Sequence, residues 1–468
     1  MVTSVTGAGG VLLYYSGATS HGVVGNASAQ TLTGGSGNDS FRGGGGGDTL
    51  IGLGGDDTYA IYSKNDMIVE QTAGGVDSAD ASTSYLLPAN VENLVLYNNL
   101  TYGGGNALNN ILTGMSGNQT LDGGGGSDVL IGGLGADIFV LKSGDGHDVV
   151  ADFQSGIDQV RLDGLGVTSF AQAQSDMVQT GADVTLSVPT GEQFIFRNHQ
   201  VSDFSGQDFQ LSVDTSKMTL TFDDEFNSRS LKNGTIGTGT WDTAFGSGSG
   251  LTAHSLTRNG ELQVYMYPTF AGTGTTALGV DPFSVNGGVL NISASLATPS
   301  VANNIWNYQY TSGLISTRSS FAQTYGYFEV RAKLPAGDGM WPAFWMVPAS
   351  GAWPPELDIF EQLGHDTNTL YATKHSGVGG TNVWHTDTLW VPDTSAAFHT
   401  YGLYWDQTNL IWYVDGTEVD RMATPSDANQ PMYMMLNLAI GGWSGAPDPN
   451  AFPGTMSIDY VRAYRFGR

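Results

Sequence analysis

Apolar side chains recur at every ninth position in the first half of the chain. The repeating segments are 34–42, 43–51, 52–60, 105–113, 114–122, 123–131 and 132–140, and their eighth positions hold Phe41, Leu50, Tyr59, Leu112, Leu121, Leu130 and Phe139. Six residues rich in Gly and Asp can form a turn, and the next three can form a strand whose central side chain alone points inward. The pattern predicts short strands and turns in alternation, in repeat blocks at about 25–60 and 105–140.

The pattern changes to longer strands from Met218 onwards. Apolar, aromatic and β-branched residues alternate or run together in LTFDDEF, ELQVYMY, YFEVRAKL, LIWYVDG, YMMLNLAI and MSIDYVRAYRF, and Gly, Asn, Asp and Pro separate these segments. No stretch of 12 residues has a convincing helical period. Short strands at regular spacing predict an all-β sandwich or barrel.

Composition places a domain boundary near residue 212. The chain has a formal net charge of −27 and no Cys. Five basic and 22 acidic residues lie in 1–212, whereas all 10 Trp lie in 213–468. We therefore expect two domains, 1–212 and 213–468. The acidic excess argues against a nucleic-acid partner, the lack of a long apolar run argues against a membrane span, and the lack of Cys excludes disulfides.

The sixth position of the repeats carries an acidic side chain in five of seven cases. These candidate metal ligands are Asp39, Asp48, Asp57, Asp128 and Asp137, whereas Asn110 and Gln119 depart from the pattern. Carboxylates and turn carbonyls are hard oxygen ligands that suit calcium. A disordered Gly-rich linker is the alternative, but a linker does not need an apolar residue at every ninth position.

These segments resemble the RTX nonapeptide repeat, which forms a parallel β-roll that binds calcium between stacked turns. The resemblance implies several calcium ions in 1–212. Since the predicted core is thin and the charge is acidic, we expect this half to be largely unfolded without calcium and to fold on binding it.

Three carboxylates cluster in the segment ELDIFE of the second half. Glu356 and Asp358 are two residues apart and share one face of a strand, and a single β-bulge before Glu361 would return its side chain to that face. Two carboxylates that flank a sugar bond suffice for glycoside hydrolysis. The alternative interpretation is an exposed acidic strand edge.

The surroundings of this segment resemble glycoside hydrolase family 16. The matching motifs, in chain order, are LTFDDEFN, NGELQVY, SGLISTR, YGYFEVRAK, GMWPAFWMV, WPPELDIFE, KHSG, YGLYWDQTNLIWYVDG, MLNLAIGG and IDYVRAY. The resemblance covers essentially all of 217–468. It implies a β-jelly-roll sandwich with a long cleft and a retaining mechanism, in which Glu356 is the nucleophile, Asp358 its assistant and Glu361 the acid/base.

The same resemblance implies further site residues. Those expected to contact substrate are Trp345, Trp353, His375 and Trp443, and those expected to hold one structural calcium ion, in part through backbone oxygens, are Glu225, Gly260 and Asp459. Trp341 is assigned to the core. Plain turn residues are the alternative for the second set.

The order of the two halves resembles that of rhizobial exopolysaccharide glycanases. It predicts a secreted, monomeric, calcium-dependent endo-β-glycanase that acts on a bacterial exopolysaccharide such as succinoglycan or on a β-1,3/1,4-glucan. The first basic residue is Arg42, so a cleaved signal with a positive n-region is not expected, and a type I secretion apparatus is the predicted partner. A non-catalytic matrix lectin and a transglycosylase remain as alternatives.

Overall fold

The structure is a computed structural model that describes residues 2–7, 10–15, 18–246 and 250–467, with side chains described from residue 18 onwards. The chain divides into two compact units, 1–212 and 213–468.

The first unit consists of short strands and one short helix. Its strands are β1 (Val2–Gly7), β2 (Gly10–Tyr15), β3 (Gly22–Val24), β4 (Thr31–Thr33), β5 (Ser40–Arg42), β6 (Thr49–Ile51), β7 (Thr58–Ile61), β8 (Met67–Val69), β9 (Ser78–Ala81), β10 (Tyr85–Leu86), β11 (Asn93–Leu96), β12 (Thr101–Gly104), β13 (Ile111–Gly114), β14 (Gln119–Asp122), β15 (Val129–Ile131), β16 (Ile138–Lys142), β17 (His147–Val150), β18 (Gln159–Asp163), β19 (Met177–Thr180), β20 (Asp183–Ser187), β21 (Gln193–Phe196) and β22 (Phe209–Gln210). Helix α1 (Phe170–Ser175) lies between β18 and β19, and 3₁₀ turns cover Val201–Asp203 and Gly206–Asp208.

Most strands of this unit pair in parallel, whereas β1 with β2, and β20 with β19 and β21, pair antiparallel. The strand orders are β1-β2-β4-β6-β8, then β10-β12-β14-β16-β18-β22, and β19-β20-β21-β17-β15-β13-β11-β9-β7-β5-β3. Within the repeats the register advances by 18 residues, so that Leu32 pairs with Leu50 and Phe41 with Tyr59. Two nonapeptides therefore make one coil, and the predicted parallel β-roll is confirmed.

The predicted inward positions of the repeats form the core of the roll. Phe41, Leu50, Tyr59, Leu112, Leu121, Leu130 and Phe139 are all fully buried. They belong to one apolar cluster, which continues beyond the repeats through residues such as Ile68, Ala79 and Val150. In β6 and β15 the central side chain is buried and its two neighbours are partly exposed, as alternation requires.

The second unit consists of longer strands. They are β23 (Met218–Asp224), β24 (Gln263–Tyr265), β25 (Phe283–Asn286), β26 (Val289–Leu296), β27 (Tyr310–Ser312), β28 (Leu314–Ser316), β29 (Gly326–Lys333), β30 (Met340–Pro348), β31 (Glu356–Glu361), β32 (Thr369–Ser376), β33 (Val383–Trp390), β34 (His399–Trp405), β35 (Asn409–Val414), β36 (Thr417–Ala423), β37 (Met432–Ile440) and β38 (Gly454–Phe466). Helix α2 (Pro299–Ala302) follows β26, and 3₁₀ turns cover Thr215–Lys217, Leu251–Ala253, Thr257–Asn259, Gly442–Ser444 and Pro449–Ala451.

Two sheets of this unit pack face to face. One follows the order β24-β27-β26-β38-β29-β34-β35-β36, with β23 and β25 paired to β38 and β26, and the other follows β28-β37-β30-β31-β32-β33. Side chains from both sheets, including Phe328, Val330, Phe344 and Leu436, form a single buried cluster between them. The unit is a β-jelly-roll sandwich, and the predicted all-β fold class is confirmed.

The second sheet positions the three carboxylates. In the pairing of β31 with β32, Asp358 lies opposite Thr373 and Glu361 opposite Tyr371, so three steps on β31 correspond to two on β32. This is the predicted bulge. Leu357, Ile359 and Phe360 are buried in the sandwich.

Every helix in the described part of the chain is too short or too polar to cross a membrane.

Candidate active site

A cleft of about 550 Å³ lies on the face of the β30–β31–β37 sheet that is turned away from the sandwich core. Glu356, Asp358 and Glu361 all line it. Asp358 is 4% exposed, and the two glutamates are partly exposed, so the three acids face a confined space. The arrangement is the one that the bulge permits, because without it Glu361 would point into the core.

Glu356 is held by two side chains. The Trp353 indole Nε1–H donates a hydrogen bond to Glu356 Oε2 at 2.9 Å. His375 Nε2 lies 3.5 Å from both Glu356 Oε1 and Asp358 Oδ2. The register of β32 explains this contact, since Glu356 lies directly opposite His375. Glu356 therefore accepts a hydrogen bond and lies beside a group that can carry positive charge.

Glu361 has a different partner. The Trp341 indole Nε1–H donates to Glu361 Oε1 at 3.0 Å, and Trp341 lines the cleft. The prediction that Trp341 belongs to the core is wrong. Trp341 lies four residues before Trp345 on β30, and positions four apart on a strand share a face. This spacing is the feature of the sequence that places Trp341 in the cleft with Trp345.

Burial raises the pKa of all three acids, and repulsion by a neighbouring carboxylate adds to the rise at the two glutamates. Burial is the largest cause at each position, and it raises the pKa of Glu356, Asp358 and Glu361 to about 8. The charge of Asp358 raises the pKa of both glutamates further. His375 and the Trp353 indole oppose the pKa rise at Glu356, and the Trp341 indole opposes it at Glu361. At neutral pH the cluster therefore retains protons, as a general acid requires.

The floor of the cleft is aromatic and polar. Trp345 lines it and donates from Nε1 to Asn437 Oδ1 at 2.7 Å, while Asn437 Nδ2 donates to the hydroxyl of the buried Tyr265 at 3.0 Å. Asn437 and Tyr265 fix the orientation of the Trp345 ring. Asn437 is not among the site residues expected from the sequence. It lies two residues after Met435 and four after Tyr433 on β37, and so shares their face of the strand.

Trp443 lies beside the cleft rather than among its lining residues. Its ring is 46% exposed and packs against Tyr371, with centroids 4.5 Å apart, and against Trp341 at 6.1 Å. Trp353, which is 55% exposed, lies near His375 instead. Trp353 and His375 thus lie on the Glu356 side of the cleft, and Trp443 lies with Trp341 on the Glu361 side.

The predicted calcium ligands of the first unit lie in a repeating hydrogen-bond ladder. Asp57 Oδ1 accepts from Asp39 N at 2.6 Å, and Asp128 Oδ1 accepts from Asn110 N at 2.6 Å, each across 18 residues. Asp39 Oδ1 likewise accepts from His21 N across 18 residues, while its Oδ2 accepts from Gly35 N within the same turn. One carboxylate oxygen of each repeat thus joins two coils.

The second oxygen of several of these carboxylates has no partner. Oδ2 of Asp48, Asp128 and Asp137 is buried without a hydrogen-bond partner among the described residues. Buried, unsatisfied carboxylate oxygens are costly unless a cation binds them, so the donor set fits calcium. Where an amide replaces Asp, its N–H₂ donates to backbone oxygens instead: Asn110 Nδ2 donates to Val91 O and Glu92 O, and Gln119 Nε2 to Asn98 O and Ser116 O.

The ladder extends to acids outside the seven nonapeptides. Asp66, Asp77, Asp148 and Asp158 each accept from the backbone N–H of the residue one coil earlier. The offset is 18 residues at Asp66 but 20 or 21 at the other three. The inserted residues lie in the turns and hide the period, although a buried apolar residue still follows each of these acids by two positions.

Two of the three residues expected to hold calcium in the second unit, Glu225 and Asp459, lie in ion pairs. Glu225 forms an ion pair with Arg462, at 2.8 Å, and Asp459 with Arg331, at 2.5 Å. Gly260 lies beside Gly442 near the cleft.

Gly288, and not Gly260, lies next to Glu225. A Cβ built on Gly288 would lie 3.6 Å from the backbone oxygen of Glu225. Leu290 pairs with Ile458, which brings the start of β26 to the strand that carries Asp459.

Comparison with known proteins agrees with both halves of the structure. The profile of glycosyl hydrolases family 16 matches residues 286–462, and that of the RTX calcium-binding nonapeptide repeat matches residues 24–59 and 104–139. Two proteins of Rhizobium meliloti (strain 1021), endo-1,3-1,4-beta-glycanases ExsH and EglC, are 46% and 44% identical to this chain over 407 residues, which is 87% of this chain and 86% of each relative. The chain belongs to glycosyl hydrolase family 16.

Among solved structures, the laminarinase catalytic domain from Thermotoga maritima MSB8 is 31% identical, with a TM-score of 0.43, and the match covers 53% of this chain and 98% of that one. The family and the two relatives establish an endo-acting glycoside hydrolase that carries calcium-binding RTX repeats. The prediction of an enzyme, in preference to a lectin, is confirmed.

Proposed function

We propose that this glycosidase cleaves β-1,3/1,4-linked glycan chains with retention of anomeric configuration, with Glu356 as nucleophile, Glu361 as acid/base and Asp358 as the assistant of Glu356. The observation that carries the proposal is the placement of all three carboxylates on one face of β31, inside one cleft, with a separate indole donor on each glutamate. The names of the two Rhizobium meliloti relatives support the linkage class.

The environment of each glutamate suits its proposed role. The hydrogen bond from Trp353 and the proximity of His375 favour the charged form of Glu356, which attacks the anomeric carbon. Glu361 gives its proton to the glycosidic oxygen as the bond to the leaving sugar breaks. In the second step Glu361 takes a proton from water, the water oxygen attacks the anomeric carbon, and Glu356 leaves as carboxylate.

Asp358 influences the charge of the groups around it, Glu356 and His375. It lies within reach of His375, and its carboxylate oxygen lies within 4.8 Å of that of Glu356. Asp358 Oδ2 has no hydrogen-bond partner among the described residues, which leaves it available to Glu356 as the glycosyl–enzyme bond forms and breaks.

The polymer we propose as substrate is an anionic bacterial exopolysaccharide such as succinoglycan. Among the described residues that line the cleft, Arg258 is the one Lys or Arg, and it is exposed. An exposed guanidinium at the rim of a cleft can pair with acidic substituents while the backbone sugars occupy the aromatic floor. The relatives are named for the linkage and not for the polymer, so Arg258 is the support specific to this chain.

A panel of polymers tests the proposal. We would incubate the full chain in millimolar calcium with succinoglycan, mixed-linkage glucan, laminarin and agarose, and follow chain length by size-exclusion chromatography. Rapid loss of length in a β-1,3/1,4-linked polymer is expected, and NMR should show the β-anomer of the new reducing end first.

Variants of the two glutamates separate their roles. Glu356→Gln should abolish cleavage while retaining binding, whereas Glu361→Gln should retain activity on aryl glycosides whose leaving group needs no proton. Glu225→Gln, which alters an ion pair outside the cleft, is the matched control. Full activity in Glu356→Gln, or an α-anomer as the first product, would contradict the proposed mechanism.

We further propose that the enzyme acts outside the cell, that the RTX half folds on binding calcium there, and that a type I apparatus exports it. The buried, unpartnered Oδ2 atoms of Asp48, Asp128 and Asp137 support the calcium dependence. The match to RTX repeats and the rhizobial relatives support the route of export.

A further inference from the structure

Three carboxylates from different turns converge at the end of the first repeat block. Oxygens of Asp57, Glu70 and Asp77 all lie within 4.8 Å of one another. The three residues are 1%, 9% and 0% exposed. Glu70 and Asp77 lie outside the nonapeptides that the sequence identified. Three negative charges in so small a buried volume are unfavourable without a compensating cation.

Gly52 has no side chain, and the carboxylate of Glu70 occupies the space in front of it. Glu70 stands 18 residues after Gly52, in the position that glycine holds one coil earlier. A Cβ on Gly52 would lie 1.9 Å from Glu70 Oε1 and 2.2 Å from Asp57 Oδ2, so both acids occupy the space in front of Gly52. In front of Gly43, by contrast, the nearest atoms are those of one carboxylate, Asp48.

The cluster leaves one carboxylate oxygen without a partner. Asp77 Oδ1 accepts from Asp57 N at 2.8 Å, but Asp77 Oδ2 is buried with no hydrogen-bond partner among the described residues. The Tyr59 hydroxyl contacts Glu70 Oε1 and lies 3.5 Å from Asp57 Oδ2. A phenol donates a single hydrogen, so Tyr59 cannot satisfy the whole cluster.

We propose that Asp57, Glu70 and Asp77 together would bind one calcium ion in a three-carboxylate site beside the Tyr59 hydroxyl. This site differs from the ordinary repeat sites by the side chain of Glu70, which adds a charged ligand. Because ligand charge tunes calcium affinity, it is the first site of the roll to fill. The inference concerns the RTX half and does not depend on the proposed cleavage chemistry.

Terbium luminescence tests the site directly. Tb³⁺ is a hard cation that takes oxygen ligands, and it emits when a nearby tyrosine absorbs light. We would titrate Tb³⁺ into the calcium-free full chain and compare the wild type with Tyr59→Phe, Glu70→Gln and Asp80→Asn. Asp80 lies on the outer face of β9, three residues after Asp77, and is the matched charge control. Emission from tryptophan is common to all four proteins.

The first equivalent of Tb³⁺ should give emission that excess calcium removes and that Tyr59→Phe loses in large part. Glu70→Gln should weaken this first site by at least about tenfold, and Asp80→Asn should leave it unchanged. Equal first-equivalent emission in Tyr59→Phe and the wild type would overturn the proposal, as would equal affinity in Glu70→Gln and Asp80→Asn. Circular dichroism in saturating calcium checks the fold, and if Glu70→Gln does not fold, the Tyr59→Phe comparison decides alone.

Discussion

The two indole donors at the active site should control opposite limbs of the pH profile. Trp341 donates to Glu361 at 3.0 Å and Trp353 donates to Glu356 at 2.9 Å. A hydrogen bond to a charged acceptor contributes about 1.5–3 kcal/mol. Since one pKa unit corresponds to about 1.4 kcal/mol, loss of either donor should raise the pKa of its glutamate by about one to two units.

The sign follows from the proposed roles. Glu361 must be protonated to act as acid, so a higher pKa in Trp341→Phe should move the alkaline limb of kcat/KM to higher pH and widen the profile. Glu356 must be charged to attack, so a higher pKa in Trp353→Phe should move the acidic limb to higher pH and narrow the profile. Because the carboxylates titrate as a coupled cluster, neither limb belongs to one residue alone. The two variants are therefore distinguished by which limb of the pH profile moves.

The assay is kcat/KM on a soluble β-glucan across the pH range in which the enzyme is folded. Trp345→Phe is the control, because its indole donates to Asn437 and not to a carboxylate, so its profile should keep the wild-type limbs. If Trp353→Phe moved the alkaline limb and Trp341→Phe the acidic limb, the roles of the two glutamates would be reversed. If neither limb moved in either variant, the indoles would not set the charge of the site.

Three further predictions concern the roll and the substrate. Leu130→Ala, at a fully buried position, should lower the free energy of unfolding of the calcium-loaded roll by about 3 kcal/mol, and Val129→Ala, on the outer face, by less than about 1 kcal/mol, as measured by calorimetry. Burial raises the pKa of Asp137 to about 7 and of Asp148 to about 8, so without calcium these protonated acids favour the folded roll below about pH 4, and the contribution is lost as pH rises through 7 to 8. The β signal of the chelated protein in circular dichroism should therefore rise on acidification, and a signal independent of pH would contradict this. Arg258→Gln should raise KM several-fold for an anionic polymer and leave KM for laminarin unchanged, since a surface ion pair contributes up to about 1 kcal/mol.

The sequence predicts the roll well where its turns have constant length. Phe41 and Tyr59 stack at 4.9 Å because both the turn and the strand repeat without change between them. The first block of predicted nonapeptides ends at residue 60, although the 18-residue offset continues to Asp66; the coil grows to 20 residues at Asp77. A turn on the surface can lengthen at little cost, whereas the inward residue and the carboxylate that caps the coil are fixed by burial and hydrogen bonding. The length of the repeat therefore changes along the chain, although the inward apolar residue and the capping carboxylate are kept.

Strand parity predicts the active site within a strand but not between strands. The bulge in β31 follows from the need to keep Leu357 and Phe360 buried while Glu361 returns to the cleft. The same rule, applied to β30, places Trp341 with Trp345 in the cleft. A core position for Trp341 is inconsistent with this alternation along β30.

The position of His375 depends on information that alternation does not contain. Its contact with Glu356 and Asp358 requires the register in which Glu356 lies opposite His375, and a slip of one residue in β32 would turn the imidazole away from both acids. The buried side chains of β32, Leu370 and Ala372, fix that register from the other face of the sheet. The electrostatics of the nucleophile are therefore set in part by apolar packing on the opposite side of the strand, which the sequence of the catalytic motif alone does not reveal.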